Sequence, residues 1–210
     1  SCLISAVVKG NFSVGTTLSK TEAAQAALFG LVVLGDAITV SIALGILVSL
    51  AGVACLSWSQ GSFLSNLSRR SLFLGLISGT GFAVAAVCFR GASLSLEFGE
   101  FFERAALTVL VAVSLQSIIM GAYLLVREPG ELARVFQNWR ISSVIGCVGM
   151  LASLCWFSAM TLNSAAIVRA VGQIELLFTL LTTIWLFKER LRVVQLLGTV
   201  LIVAGIWLLI

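Results

Sequence analysis

Two glutamates lie deep inside apolar stretches of this 210-residue chain: Glu22 in the run 12–34 and Glu175 in the run 166–187. Lys20 precedes the first by two residues, and Gln173 and Arg169 precede the second by two and six. An ionised side chain at the centre of a bilayer costs at least ~2.5–3.5 kcal/mol, so it faces a partner, a cavity or an ion path rather than lipid. Lys20 and Glu22, two apart, point to different faces of a helix and do not simply neutralise each other. Arg169 and Gln173, four apart, share a face. The chemistry these side chains offer is reversible: holding a polar molecule, or taking up and releasing a proton. Bond-making chemistry is poorly supplied. There is no histidine, the commonest general base and metal ligand. No nucleophile motif and no metal-ligand spacing occurs, so neither a metal nor a cofactor is expected. Cys2, Cys55, Cys88, Cys147 and Cys155 all fall in apolar runs without a C-x2-C pair, and read as small buried hydrophobes.

The elements that carry these residues follow from composition. A soluble domain has roughly a quarter of its residues charged. Here 10% are charged, 60% are hydrophobic and the mean hydropathy is +1.12. That leaves too little polar surface to cover a soluble globule, so the bilayer is the solvent for most of the chain. Apolar stretches long enough to span recur at 12–34, 38–57, 71–93, 104–126, 141–161, 166–187 and 192–210, after a shorter one at 1–8. The expected class is an all-α polytopic membrane protein with seven full spans and a partial one. The chain opens at Ser1 inside an apolar run, without a signal-peptide pattern, and an N-terminally truncated protein is expected.

Segment 127–140 differs from the spans. Leu132, Val135, Phe136 and Trp139 recur at helical spacing, with Glu131, Arg134 and Asn138 largely elsewhere. Either a short helix in the headgroup plane or a plain loop with an interfacial Trp fits. The run Glu97–Glu103 reads as a solvated helix entry. Connections on one side carry Lys9, Arg69, Arg70, Arg127, Arg134, Arg140, Lys188, Arg190 and Arg192. The other side holds Arg104, Arg90 at a helix end, and Asp36, Glu97, Glu100 and Glu103. This asymmetry accounts for the net charge of +4 without a nucleic-acid partner. It makes the basic side cytoplasmic and the C-terminus external.

A shift of 153 residues, the separation of Glu22 and Glu175, aligns the first 57 residues with the end of the chain. Cys2, Ser5 and Ala6 fall on Cys155, Ser158 and Ala159. Asp36 falls on Glu189, and Val40, Leu44, Gly45, Ala51 and Gly52 fall on Val193, Leu197, Gly198, Ala204 and Gly205. The helices 12–34 and 166–187 are separated by an odd number of crossings, so the copies are inverted, a common architecture of secondary transporters. Residues 1–57 are then the end of the first copy, 58–70 a connecting loop and 71–210 the second copy. If 71–93 opens the second copy, its counterpart begins about 80 residues before Ser1, and the intact protein has about ten helices in two inverted five-helix units.

In this frame Glu22 and Glu175 are equivalent, as are Lys20 and Gln173. Two readings stand. Lys20, Arg169, Gln173 and the glutamates line a midplane cavity for substrate or a coupling proton. Alternatively, Lys20 or Arg169 neutralises a glutamate of the other copy and locks helices together. Gln116, Tyr123 and Trp156 are weaker cavity candidates, more simply read as helix–helix or interfacial residues. Arg90 reads as snorkelling to the interface. Gly45 and Gly52, Gly198 and Gly205, and the Gly75/Gly79 pair line helix faces for close contact.

The stretch from Gln173 to Leu209, with Glu189-Arg190 in a short turn and Gly198 and Gly205 in the last helix, resembles the closing segment of EamA-type proteins of the drug/metabolite transporter superfamily. Gly35-Asp36, Gly45 and Gly52 repeat the pattern in the first half. The resemblance implies ten helices in two inverted five-helix repeats, a bacterial inner-membrane location, both termini cytoplasmic, opposite to what the loop charges give, so that orientation stays open, and transport of small metabolites, amino acids or drugs, often outward. The implied partners are a small-molecule substrate, the bilayer, and a coupling proton or counter-substrate. Two other classes are weighed against a transporter. A membrane enzyme needs a nucleophile or metal site, and none is found. A lipid or lipid-linked-sugar flippase subunit, or a non-transporting partner, shares the fold, and a lateral opening toward lipid favours it.

Overall fold

The computed structural model describes residues 20–58, 69–187 and 193–209. These residues form α-helices and one 3-10 turn. In chain order they are α1 (Glu22–Leu34), α2 (Val40–Trp58), α3 (Arg69–Leu94), α4 (Phe101–Arg127), α5 (Pro129–Gln137), α6 (Trp139–Leu162), α7 (Ala165–Val171), the 3-10 turn Gly172–Ile174, α8 (Glu175–Phe187) and α9 (Val193–Leu209). Every expected span meets a helix or a helix pair, except the remnant at 1–8, which lies outside the described residues. Stretches Phe73–Leu94, Phe101–Arg127, Trp139–Leu162 and Ala165–Thr182 are long and apolar enough to cross a membrane. Glu22–Leu34, Val40–Leu56 and Val193–Leu209 are apolar but shorter.

The chain packs as two compact units, 1–88 with 164–210, and 89–163. In the first unit the core is built from small residues. Ala23 and Ala27 of α1 cluster with Ile46 of α2 and with Ala166 and Ala170 of α7. Between membrane helices there is no hydrophobic driving force, because lipid is as apolar as leucine. Close backbone approach supplies the packing, and small side chains permit it. The same logic governs α2 and α9, which run antiparallel. A Cβ built on Gly45 would meet the Gly205 carbonyl at 2.9 Å, and one on Gly52 would meet the Gly198 carbonyl at 2.7 Å. The reverse contacts are alike: Gly205 to the Gly45 carbonyl at 2.8 Å, and Gly198 to the Gly52 carbonyl at 2.8 Å. The glycines matched by the 153-residue register therefore close on each other reciprocally. Gly75 and Gly79 of α3 are buried as well.

Local signals set the helix ends. Gly35, at φ 70°, closes α1, and the Asp36 N–H donates back to the Gly30 carbonyl at 3.2 Å. Glu100 and Glu103 form a reciprocal capping box at the start of α4, so the glutamate-rich stretch is a helix entry as expected.

In the second unit α5 is a helix rather than a plain loop. It opens at Pro129, and Arg134 pairs with Glu131 at 2.5 Å. Phe136 and Trp139 are exposed beside it. Arg90 has partners within the protein: its guanidinium donates to the Met160 carbonyl at 2.7 Å and to the Asn163 carbonyl, at the C-terminal end of α6. Those carbonyls lack intrahelical partners and carry the negative end of the helix dipole, which attracts a cation. The cysteines correct the sequence reading. Cys88, Cys147 and Cys155 are exposed and Cys55 half-buried; Cys2 lies outside the described residues. A membrane helix is apolar on its lipid face too, so an apolar run does not imply burial for a thiol.

Candidate functional site

The first unit brings together all five leading candidates. Glu22 is the first residue of α1, and Glu175 is the first residue of α8. Glu22 follows a turn at Lys20-Thr21, and Glu175 follows the 3-10 turn Gly172–Ile174. The run 166–187, expected as one helix, stays helical throughout and only tightens to a 3-10 turn at Gly172–Ile174. Carboxylates are favoured at such starts by the positive end of the helix dipole.

The charges pair across the two ends of the chain. Lys20 Nζ forms an ion pair with Glu175 Oε1. Arg169 Nη1 lies 3.6 Å from Glu22 Oε1. Each glutamate thus takes its ion-pair partner from the other end of the chain. The pairs differ in setting: Glu22 is 13% exposed and Glu175 59%. The Arg169 guanidinium also lies 5.8 Å from the ring centroid of Phe82 on α3, a cation–π contact.

Gln173 stands apart. It is 2% exposed, and among the described residues neither its amide oxygen nor its amide nitrogen has a hydrogen-bond partner. An unsatisfied buried polar group costs about 1–3 kcal/mol, so a buried amide without a partner calls for an explanation. Gln25, one turn into α1, donates to Thr21 Oγ1 at 2.9 Å and leaves its own buried oxygen unpaired. Sequence reasoning passed over Gln25 and Phe82. A polar residue three positions after Glu22 was a readable signal; the aromatic was not, because apolar residues are everywhere in these helices.

The weaker candidates belong to the second unit. Gln116 and Tyr123 are exposed on α4, and Trp156 is half-buried on α6. Among the described residues no cluster of three or more His, Cys, Asp or Glu side chains could hold a metal. The assembled cluster therefore offers two cations, two carboxylates and a buried amide: a formally neutral set suited to reversible polar contacts.

A family model described as the EamA-like transporter family matches residues 69–210. This chain belongs to the EamA-like transporter family. It is a multi-pass, membrane-embedded protein of all-helical fold. The family match opens at the start of α3 and contains Arg169, Gln173 and Glu175. A human relative, solute carrier family 35 member E4, is 29% identical over 138 residues, covering 62% of this chain. The chain spans 39% of that relative's length. A crystal structure of another protein superposes with a TM-score of 0.71 at 17% identity, over 99% of this chain and 71% of the other, a likeness of fold alone.

Proposed function

We propose that the protein to which these residues belong is a secondary transporter of small metabolites, amino acids or drugs. It works by alternating access around Lys20, Glu22, Arg169, Gln173 and Glu175. One observation carries this reading: two ion pairs join opposite ends of the chain beside a buried amide without a partner, where two matched helices both begin. Inverted-repeat transporters place their substrate and coupling-ion sites among polar residues near the midplane, at the interface of the repeats. Residues 1–57 and 71–210 are read as parts of two inverted copies, and the reciprocal glycine contacts of α2 and α9 support that reading. Export from a bacterial cell across its inner membrane is the direction and location that the family resemblance suggests.

The test compares metabolites exported by cells that carry or lack the full-length protein, then repeats the comparison with Glu175→Gln. The expected outcome is a compound exported only with the wild type, with the variant present in the membrane but inactive. Equal export by wild type and variant, followed by unchanged flux in reconstituted vesicles, removes the site assignment.

A further inference from the structure

The 153-residue register can be applied to contacts as well as to residues. In the α2–α9 pair each contact maps onto another that is present. Gly45 against Gly205 maps onto Gly198 against Gly52. Gly205 against the Ser49 nitrogen, at 2.7 Å, maps onto Gly52 against the Ile202 nitrogen, at 2.8 Å. Gly45 against Leu209 Cγ, at 2.7 Å, maps onto Gly198 against Leu56 Cγ, at 3.0 Å. This pair of helices is its own image.

The charge cluster is not. Lys20 with Glu175 maps onto Gln173 with Glu22. Yet Glu22 sits on Arg169, and the Gln173 amide has no partner among the described residues. Arg169 with Glu22 maps onto Thr16 with Glu175, and Thr16 lies outside the described residues. The α2–α9 contacts thus match their images, and the one cluster contact whose image is described does not. In an inverted-repeat transporter the two access states arise when the copies exchange roles. Contacts that equal their own image persist through the exchange, and contacts that do not are the ones that change.

We infer that Gln173 is a positioning residue: in the opposite-facing state its amide N–H donates to the carboxylate of Glu22, which leaves Arg169 as Glu175 leaves Lys20. This rests on the transporter reading and its two inverted copies. The chemistry fits, since an amide nitrogen donates to a carboxylate as an ammonium does, but more weakly and without charge. The location fits too. Gln173 occupies the 3-10 turn between α7 and α8, and a 3-10 stretch in mid-helix is a common hinge. The buried unpaired amide of the present state is then the vacated half of an exchange.

The experiment uses the purified full-length protein without substrate, and reads hydrogen–deuterium exchange of the segments 22–34 and 175–187. Gln173→Lys puts an ammonium at the position matching Lys20, so Glu22 should move to it. The ratio of exchange rates between the two segments should shift toward its inverse by about tenfold, the factor expected when a charge-assisted bond replaces a neutral one. Gln173→Leu, which cannot donate, should retain the present ratio. If Gln173→Lys does not accumulate, Arg169→Gln, which removes the present partner of Glu22, should produce the same shift. A ratio unchanged in the variant that folds overturns the inference. Transport by a protein whose ratio does not shift sinks the exchange alone, whereas a shift in a protein that transports nothing counts against the transporter reading.

Discussion

Gly52→Ala is a sharp test of the α2–α9 contact. The new Cβ would stand 2.7 Å from the Gly198 carbonyl oxygen, 2.8 Å from Ile202 Cγ1 and 2.8 Å from the Ile202 nitrogen. Two of these neighbours are backbone, so no side-chain rotation relieves the clash and the helices must separate. Overpacking of this kind costs about 1–3 kcal/mol. Against it stands the helix preference of alanine over glycine, about 0.8–1.0 kcal/mol. Gly121→Ala in α4 isolates that second effect, because nothing lies within 4 Å of its Cβ position. Relative to Gly121→Ala, Gly52→Ala should therefore be less stable by the full overpacking cost of about 1–3 kcal/mol, roughly a 5- to 150-fold change in the unfolding equilibrium. The assay is reversible unfolding in mixed micelles. Adding Gly198→Ala to Gly52→Ala should cost less than the sum of the two, because helices already forced apart admit the second methyl more easily. Equal stability of Gly52→Ala and Gly121→Ala, or strict additivity of the double variant, refutes the reciprocal contact.

Two further outcomes are expected. Arg90→Met should destabilise the protein by about 1.5–3 kcal/mol, the range for hydrogen bonds from a charged donor, in the same unfolding assay; unchanged stability returns Arg90 to a snorkelling role. Asn138→Cys, in a background without the native cysteines, should escape an impermeant thiol reagent added outside intact cells if that connection is cytoplasmic, as the positive-inside rule expects from the arginines flanking α5. Labelling from outside reverses the orientation and brings the C-terminal side of α9 into the cytoplasm.

Much of the architecture was legible in one dimension. Hydropathy and segment length identified the solvent and found helices 40–58, 69–94, 101–127 and 139–162 to within a few residues. The register that matched Glu22 with Glu175 also matched Gly45 and Gly52 with Gly198 and Gly205, and those glycines meet in the structure. These properties reside in order and spacing along the chain, which sequence carries in full.

What tertiary structure alone decided was partnership. The spacing of Lys20, Glu22, Arg169, Gln173 and Glu175 assigned faces, but a face does not name what lies opposite it. Only packing put Lys20 on Glu175 and Arg169 on Glu22, and left Gln173 buried with an unpaired amide. The same limit explains the cysteines and Arg90. In water, an apolar residue is drawn inward and hydrophobicity predicts burial. In a bilayer the outer face is as apolar as the core, so inside and outside are distinguished by small residues and paired polar groups. Which polar group finds which is settled only when the helices meet.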